Sequence, residues 1–295
     1  MDLIYNVKND CNYLNINDVI FNEFKISNRL FSKLINTNSI FLNDKNVDTR
    51  NRISFGDTVR INFDYIEDNS NIVPLNWDLS ILYEDEWLLV VNKPAGIAIH
   101  PSILHYDNSL SNAVKYYFDR INLKKKIRVI NRLDKDTSGI VIFAKCEYIQ
   151  ECFIRQMNNK IFKKYYYCLS SGNITPSSGI LDFPIARKEN SIIERCVQDE
   201  GKRSITHFKV LKYFDDFCLV ECYLETGRTH QIRVHFSHIG HPLLGDTLYG
   251  NSNDNSFVSR QALHCGKITL LHPITNKELT FTAKCTDIQF FNTFL

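Results

Sequence analysis

Residues 131–144 have the sequence NRLDKDTSGIVIFA, in which a polar loop runs directly into an apolar strand. The segment Thr137–Gly139 favours a turn, and the apolar run at 140–144 predicts a buried strand. Asp134 would therefore lie in a loop held between ordered segments, where a preorganised carboxylate can be presented to a ligand. A structural role is also open, because Asp134 or Asp136 could cap the turn through hydrogen bonds to the backbone.

Strand-sized apolar runs dominate the chain beyond residue 79. They lie at Trp87–Val91, Gly139–Ala144, Tyr165–Leu169, Cys218–Leu224 and Lys267–Leu271. A few helical stretches interrupt them, among them Ser109–Phe118 and Glu147–Asn158. This pattern is typical of an α+β fold with a large, mixed but mostly antiparallel sheet, and not of regular βαβ alternation. The glycine-rich loops of dinucleotide and P-loop sites are absent from the sequence, which argues against a nucleotide cofactor.

The first 70 residues predict a separate, small α+β unit. Apolar residues recur at three- and four-residue steps over 24–36, which predicts one amphipathic helix. Short strands are predicted at 39–42 and 58–63. A polar segment follows that has the composition of a linker. We therefore divide the chain into a unit at 1–70, a linker at 71–79 and a larger domain at 80–295.

The composition is that of an ordinary folded protein whose charge is almost balanced. Of the 295 residues, 44% are hydrophobic and 23% are charged, and the net charge is +2. These values exclude a disordered chain. Residues 1–70 carry 8 basic and 10 acidic side chains, so the rest of the chain has a net charge of +4. A polyanion would have to be held by local basic patches and not by a global field.

The sequence carries no signal for a membrane or for export. No apolar run reaches the ~18 residues of a membrane span, and the N terminus does not resemble a signal peptide. Nine cysteines occur without a Cys-x-x-Cys pair, which favours reduced thiols. We therefore expect a cytoplasmic protein that does not contact a membrane.

A second polar segment, ETGRTHQIRVHF, occupies residues 225–236 and joins a strand to a helix. The helix is predicted over 232–239, with a stop at Gly240. Arg228 precedes it, where its guanidinium could hold a carboxylate in another loop as an anion and fix its direction. An ordinary structural ion pair is the alternative. The four histidines at 230–241 lack the spacing of a metal motif, so packing or hydrogen bonding explains them better than zinc.

Two further segments contain basic residues that could contact phosphate, and one of them also contains aromatic residues. In the run Lys163–Tyr167, Lys164 could contact a phosphate and Tyr166 could stack on a base, although a strand with core-facing tyrosines also fits. The densest basic run is Lys124–Lys126, just ahead of Asp134, which indicates a grip on phosphate. One face of the predicted N-terminal helix would carry Lys25, Arg29 and Lys33.

In this order, the motifs resemble the RluA-like family of pseudouridine synthases. The resemblance extends from about Leu79 to near the C terminus. It rests on Asn92-Lys93-Pro94-Ala95-Gly96, Arg132-Leu133-Asp134-x-x-Thr137-Ser138-Gly139, Lys164-x-Tyr166-x-Cys168, Gly227–Arg233, Gly245-Asp246-x-x-Tyr249-Gly250 and Ala262-Leu263-His264. Residues 15–70 are similar to the alpha-L RNA-binding module of a ribosomal small-subunit protein. Asn131 departs from the family pattern, which has His at this position.

The resemblance implies a pseudouridine synthase fold and an isomerase that needs neither a metal nor another cofactor. The reaction breaks the bond from ribose to the uracil ring nitrogen, rotates the uracil and rejoins it through a ring carbon. Asp134 would be the nucleophile or the base, Arg228 would hold it as an anion, and Tyr166 would stack on the uracil. Arg132 would fill the space left by a flipped uridine, and Ile232 would form an apolar wall. Further candidates are Asn131 and Lys164 for substrate binding, and Lys25, Arg29, Lys33, Lys124, Lys125 and Lys126 for RNA binding.

The expected partner is RNA, bound by a monomer. Large-subunit ribosomal RNA is favoured over tRNA because of the N-terminal module, and that preference rests on analogy. A non-catalytic RNA-binding factor in ribosome assembly, built on the same scaffold, is the alternative from another class. The joint presence of Asp134, Tyr166 and Arg228 counts against that alternative.

Overall fold

The computed structural model describes residues 1–250 and 258–294. Its N-terminal part contains β1 (Asp2–Asn6), α1 (Ile16–Asp18), a π-helical turn (Val19–Glu23), α2 (Asn28–Asn36), β2 (Ile40–Leu42), β3 (Lys45–Asn46) and β4 (Thr58–Asn62). The four strands form one antiparallel sheet in the order β1-β4-β2-β3. Leu30 and Leu34 of α2 are buried in the same apolar cluster as Val59 and Ile61 of β4. Helix α2 and the four strands thus form a small α+β unit.

The helix predicted over 24–36 is shorter than expected at its N-terminal end. It begins at Asn28 because the Ser27 hydroxyl caps it, accepting a hydrogen bond from the Leu30 amide at 3.2 Å. Lys25 has a φ of 54°, a left-handed conformation that no α-helix contains. Lys25 therefore lies outside α2, and the predicted shared face with Arg29 and Lys33 is wrong for this residue.

A second, much larger sheet forms the rest of the fold. Its region contains β5 (Ile81–Glu84), β6 (Leu88–Lys93), α3 (Leu110–Arg120), β7 (Arg128–Val129), β8 (Ser138–Ala144), α4 (Glu147–Asn158), β9 (Lys163–Ser171), β10 (Ser178–Asp182), β11 (Ile185–Arg187), β12 (Arg195–Val197), β13 (Ile205–Tyr213), β14 (Phe217–Leu224), α5 (Gln231–His238), β15 (Leu263–Leu271), β16 (Glu278–Thr282) and a 3-10 helix (Gln289–Phe294). Ten strands pair in the order β10-β13-β14-β9-β15-β8-β6-β5, with β16 on β15 and β7 on β8. Strands β11 and β12 form a separate hairpin.

The large sheet is mixed but mostly antiparallel, as the sequence predicts. Among the described pairings only β8 and β15 run parallel. All seven residues of β8 are buried, which explains why this strand is an almost unbroken apolar run. Each of the five predicted strands and the helices predicted at 109–118 and 147–158 has a counterpart, which confirms the α+β class.

The close approach of β8 and β15 sets the position of the loop that precedes β8. Gly139 has a φ of 121°, and a Cβ atom there would lie 2.3 Å from the Cys265 carbonyl oxygen. Only glycine allows this packing. The Ser138 hydroxyl also lies 2.8 Å from Nδ1 of His264 on β15. The loop with Asp134 is thus held at the centre of the sheet.

The two sheets share one apolar core. Phe63, just after β4, stacks on Tyr148 of α4 with ring centroids 5.7 Å apart and meets the Trp87 ring edge-on at 6.3 Å. The segment predicted as a linker has neither helix nor strand, yet it is fixed in place. The backbone amide of Leu75 donates to the Asn112 carbonyl at 3.0 Å, and the Asn112 side-chain amide donates to the Val73 carbonyl at 2.7 Å. No helix in the described parts of the chain has the length and apolarity needed to span a bilayer.

Candidate active site

Three segments that are distant in the sequence enclose one cleft of about 630 Å³. The loop between β7 and β8 contributes Arg132 and Asp134, strand β9 contributes Lys164 and Tyr166, and the corner between β14 and α5 contributes Arg228. A smaller adjoining pocket also contains Asp134 and Tyr166, and Ile232 of α5 forms part of its wall. The cleft therefore unites most of the site residues proposed from the sequence.

The loop that carries Asp134 is held by hydrogen bonds along its length. The Asn131 amide donates to the Ile140 carbonyl at 2.9 Å and accepts from the Ile142 amide at 3.0 Å. Its side chain is only 3% exposed. Both ends of the amide are thus committed to the backbone of β8, so the structure assigns Asn131 to the support of the loop. Asn131 also lines the cleft, so its predicted contact with the substrate stays a prediction.

Lys93 supports the other end of the same loop from a fully buried position. Its ammonium donates to the carbonyls of Pro94, Ile97 and Lys135 at 2.8, 3.0 and 2.8 Å. Burial lowers the pKa of Lys93 to about 7, while three carbonyl acceptors favour its charged form. The residue after Asp134 is therefore tied to the loop that follows β6.

Arg233 is the arginine that faces the Asp134 carboxylate. Its Nη1 atom lies 3.5 Å from Oδ2 of Asp134. Its Nε and Nη2 atoms donate to the two carboxylate oxygens of Asp246 at 2.7 and 2.8 Å. Burial opposes the charge on Arg233, but the hydrogen bonds and charge of Asp246 still raise the pKa of the guanidinium. One buried ion pair therefore aims a fixed positive charge at the half-buried Asp134.

His230 is the second basic side chain beside the carboxylate. Its Nε2 atom lies 3.9 Å from Oδ2 of Asp134, and its Nδ1 atom lies 2.8 Å from the Tyr249 hydroxyl. Burial lowers the pKa of His230, and Asp134 only partly offsets this effect. A neutral imidazole is thus favoured, which leaves Arg233 as the main charge on the acid.

Arg228 lies at the mouth of the cleft and not against the carboxylate. Its side chain is exposed, and its Nε atom donates to the Arg203 carbonyl at 3.3 Å. The chain turns between Arg228 and Arg233, since His230 adopts a left-handed φ of 59° and α5 starts at Gln231. The predicted pairing of Arg228 with Asp134 is therefore wrong, because the helix directs Arg233 inward instead.

Tyr166 and Lys164 lie on the same face of β9, two residues apart. Tyr166 is 5% exposed. Burial, then Cys265 and then Asp134 raise its pKa well above the usual range, so the ring is a neutral phenol. Lys164 is half-buried, and burial lowers the pKa of its amine. The residues on either side of Tyr166, Tyr165 and Tyr167, point to the opposite face, where the Tyr167 hydroxyl donates to Glu221 at 3.0 Å.

Arg132 and Ile232 complete the cleft with opposite properties. Arg132 is exposed and, among the described residues, has no carboxylate within ion-pair distance. Ile232 is 3% exposed and turns an apolar side chain into the smaller pocket beside Asp134. A charged mouth and an apolar floor suit a partly unstacked base.

Comparison with known proteins shows which family has a similar sequence. The sequence profile of the RNA pseudouridylate synthases matches residues 87–238, which include Asp134, Tyr166 and Arg233. The chain belongs to this family. An uncharacterized RNA pseudouridine synthase of Bacillus subtilis, YhcT, is 35% identical over 94% of this chain and 91% of its own. Ribosomal large subunit pseudouridine synthase D of Xanthomonas campestris is 32% identical over 90% and 82% of the two chains.

A solved structure with a similar fold supports the same family. Human RNA pseudouridylate synthase domain containing 1 aligns with a TM-score of 0.59 at 27% identity, over 70% of this chain and 83% of that chain. The predicted family, the predicted fold class and the predicted isomerase activity on RNA are thereby confirmed.

Two of the basic residues proposed for RNA binding are occupied by contacts within this synthase. Lys33 pairs with Glu67 at 2.5 Å and Glu147 at 2.7 Å. Lys125 is 2% exposed and donates to the carbonyls of Phe63 and Tyr65. The buried Lys125 ammonium is therefore not accessible to RNA, whereas Lys33 is partly exposed between two acids and its contact with RNA stays a prediction. The remaining four, Lys25, Arg29, Lys124 and Lys126, are exposed.

Arg233 and Asp246 are the functional residues that sequence reasoning missed. Both lie within the motifs that carry the family resemblance, so a usable signal existed. Arg233 stands between the apolar residues Ile232 and Val234, and all three are buried, so the charge needs a buried partner. In the described ranges, no group of three or more His, Cys, Asp or Glu side chains could hold a metal ion.

Proposed function

We propose that this RNA pseudouridine synthase isomerises uridines of large-subunit ribosomal RNA, with Asp134 as the reacting carboxylate. One observation carries the assignment of the residue. Asp134 is a half-buried acid in the cleft, 3.5 Å from an arginine whose other side is locked on Asp246. Such a charge attracts the carboxylate without occupying its oxygens, since the separation is longer than a hydrogen bond.

The reaction requires no group outside the substrate and the enzyme. The bond from ribose to the ring nitrogen breaks, the uracil turns, and a ring carbon bonds to the same ribose carbon. The proton on that ring carbon leaves, and the freed nitrogen gains one. Asp134 acts as nucleophile or as base, and both roles develop or use a negative charge that the Arg233 guanidinium faces.

Tyr166 supplies a wall on which the uracil stacks. Its buried ring faces the cleft, and its raised pKa keeps the phenol protonated at neutral pH. A protonated phenol is a poor base, so stacking and the exclusion of water are its main contributions. A detached uracil would be lost to hydrolysis or diffusion in an open site.

Arg132 and Lys164 serve the substrate on either side of the carboxylate. Arg132 stands exposed at the mouth, where it fills the place of the uridine once that base has left its stack. Lys164 faces the cleft beside Gly227, and a Cβ on that glycine would lie 3.7 Å from the lysine Nζ atom. An amine there can donate to a uracil carbonyl or to a phosphate.

The choice of ribosomal RNA rests on relatives and on the N-terminal unit. Proteins named ribosomal large subunit pseudouridine synthase D match most of this chain. A tRNA substrate is the alternative. Unmodified large-subunit ribosomal RNA and tRNA transcripts should be compared as substrates, and pseudouridines mapped in a deletion strain. Modification of tRNA alone would overturn the choice. A cytoplasmic location and action as a monomer are part of the same proposal.

Substitution Asp134→Asn tests the catalytic assignment. The variant should fold and bind RNA but release no tritium from RNA labelled on uracil carbon 5, because an amide can neither attack nor accept the proton. Asp136→Asn neutralises the other acid of the loop and should stay active. Full turnover by Asp134→Asn would remove this residue from the chemistry. A wild type that binds RNA but forms no pseudouridine would favour a non-catalytic assembly factor.

A further inference from the structure

A second cavity of about 480 Å³ adjoins the active cleft and has no role in the reaction described above. It lies between the β11–β12 hairpin and the corner that leads to α5. Both cavities are lined by Gly227, Arg228 and Thr229. A chain that leaves the active cleft over this corner therefore passes directly into the second cavity.

The side chains of this cavity are predominantly basic. Arg187, Lys202 and Arg228 line it with exposed side chains, and none of the three has a carboxylate partner within ion-pair distance among the described residues. Nearby cations differ in this respect, because Arg203 pairs with Asp182 at 3.3 Å and Lys188 pairs with Glu194. The three unpaired charges thus converge on one concave surface. Glu200 is the one acidic side chain in the lining.

The walls of the cavity are fixed in relation to the active site. The Arg195 amide donates to the Tyr249 hydroxyl at 2.8 Å, and the same hydroxyl lies 2.8 Å from Nδ1 of His230. Ile185 and Lys202 exchange two backbone hydrogen bonds of 2.9 Å each. The Arg195 guanidinium is itself held by the carbonyls of Ile193 and Glu194. The backbone segments that carry the basic groups are therefore held in place by hydrogen bonds.

We propose that this cavity binds backbone phosphate of the RNA next to the flipped uridine. The inference rests on the proposed function, since it names the part of the substrate that the second cavity holds. Unpaired guanidinium and ammonium groups in a shallow concave surface suit phosphodiester oxygens, and such contacts position RNA without selecting its sequence. A protein with a net charge of only +2 must grip RNA through such local groups. An acidic protein segment is the competing ligand, but it would not explain continuity with the cleft.

Charge substitutions of both signs test the proposal. The double substitution Arg187→Gln and Lys202→Gln should weaken binding of an unmodified large-subunit ribosomal RNA transcript by about tenfold or more. The dependence of the logarithm of affinity on the logarithm of salt concentration should become shallower by about 1 to 2. The single-turnover rate at saturating RNA should stay within about twofold. Glu200→Gln should tighten binding, and Lys277→Gln, an exposed lysine outside the cavity, is the matched control.

The outcomes separate this proposal from the proposed function. If the double variant binds the transcript with the affinity and salt dependence of Lys277→Gln, the cavity does not hold phosphate, whatever the enzyme modifies. An acidic protein ligand gives that same result and overturns the proposal. If the double variant loses affinity while even the wild type forms no pseudouridine in the transcript, the cavity binds RNA and the choice of substrate is wrong.

Discussion

At the scale of single residues, the chemistry depends on which arginine faces Asp134. Arg228 and Arg233 lie five positions apart, but only Arg233 lies within α5, where its guanidinium is clamped by the fully buried Asp246 carboxylate. A buried arginine with two fixed hydrogen bonds loses little freedom when it stabilises a neighbouring anion. Arg228 instead reaches the mouth of the cleft and the phosphate cavity. The two arginines should therefore affect different kinetic parameters.

Arg233→Gln should reduce kcat by about 100- to 1,000-fold, the usual loss when one preorganised charge at a reacting group is removed. Arg228→Gln should mainly raise KM, because it weakens the hold on RNA. Single-turnover tritium release at saturating RNA measures the first effect, and equilibrium binding measures the second. The double variant Arg233→Gln and Asp246→Asn, which leaves no unpaired buried acid, controls for misfolding. A larger loss of kcat in Arg228→Gln would reverse the assignment.

At the scale of elements, the site depends on the parallel contact between β8 and β15. Gly139 lets the two strands approach closely at the point where the catalytic loop ends. His264 on β15 is buried between the Ser138 hydroxyl and the Ala283 carbonyl, and burial lowers its pKa to about 4. A neutral imidazole satisfies both partners, as donor on one nitrogen and acceptor on the other. The contact between β8 and β15 thus fixes the loop that carries Asp134 through both packing and hydrogen bonds.

Gly139→Ala should lower the free energy of unfolding by about 3 to 5 kcal/mol, since it adds steric overlap to an unfavourable φ. Gly240→Ala is the matched control. Gly240 also has a positive φ, of 80°, but a Cβ there meets nothing within 4 Å, so its cost should be about 1 to 2 kcal/mol. Urea unfolding followed by intrinsic fluorescence measures both. Equal costs would mean that β8 and β15 can move apart.

At the scale of the whole molecule, a buried ionic cluster joins the two sheets. Glu67 accepts two hydrogen bonds from Arg128, at 2.6 and 2.7 Å, and pairs with Lys33 of α2. Burial disfavours the Glu67 anion, but Arg128 and Lys33 outweigh it and lower the pKa to about 2. Together with the stacking of Phe63 on Tyr148, this cluster makes the N-terminal unit a docked part of the fold. Removal of the N-terminal unit would expose apolar core and leave the buried Arg128 without Glu67.

Glu67→Gln should destabilise the protein at pH 7 by about 3 to 5 kcal/mol, because it leaves the buried Arg128 and the partly buried Lys33 short of an anion. The wild-type contribution is fully present above the unfolded-state pKa of about 4.5 and is lost as the pH falls through about 2. The difference between the two proteins should therefore shrink over this range in urea unfolding. Asp48→Asn removes an exposed pair with Arg50 and should matter far less. A difference that stays constant with pH would contradict the role of the Glu67 charge.

Much of this protein follows from its sequence alone, and the limit has a physical cause. Local apolar patterns determine the strands and helices, and the loop at 131–137 and the strand with Tyr166 contain enough residues to indicate the acid and its stacking partner. These features depend on neighbours within a few positions. The partner of Asp134 depends on the point where α5 begins and on Asp246, thirteen residues beyond Arg233. Whether Lys33 is free depends on Glu67, and whether Lys125 is free depends on two carbonyls about sixty residues before it in the chain. Charge and spacing do not reveal such long-range contacts, so only the tertiary structure decided which basic groups are paired or buried and which are exposed.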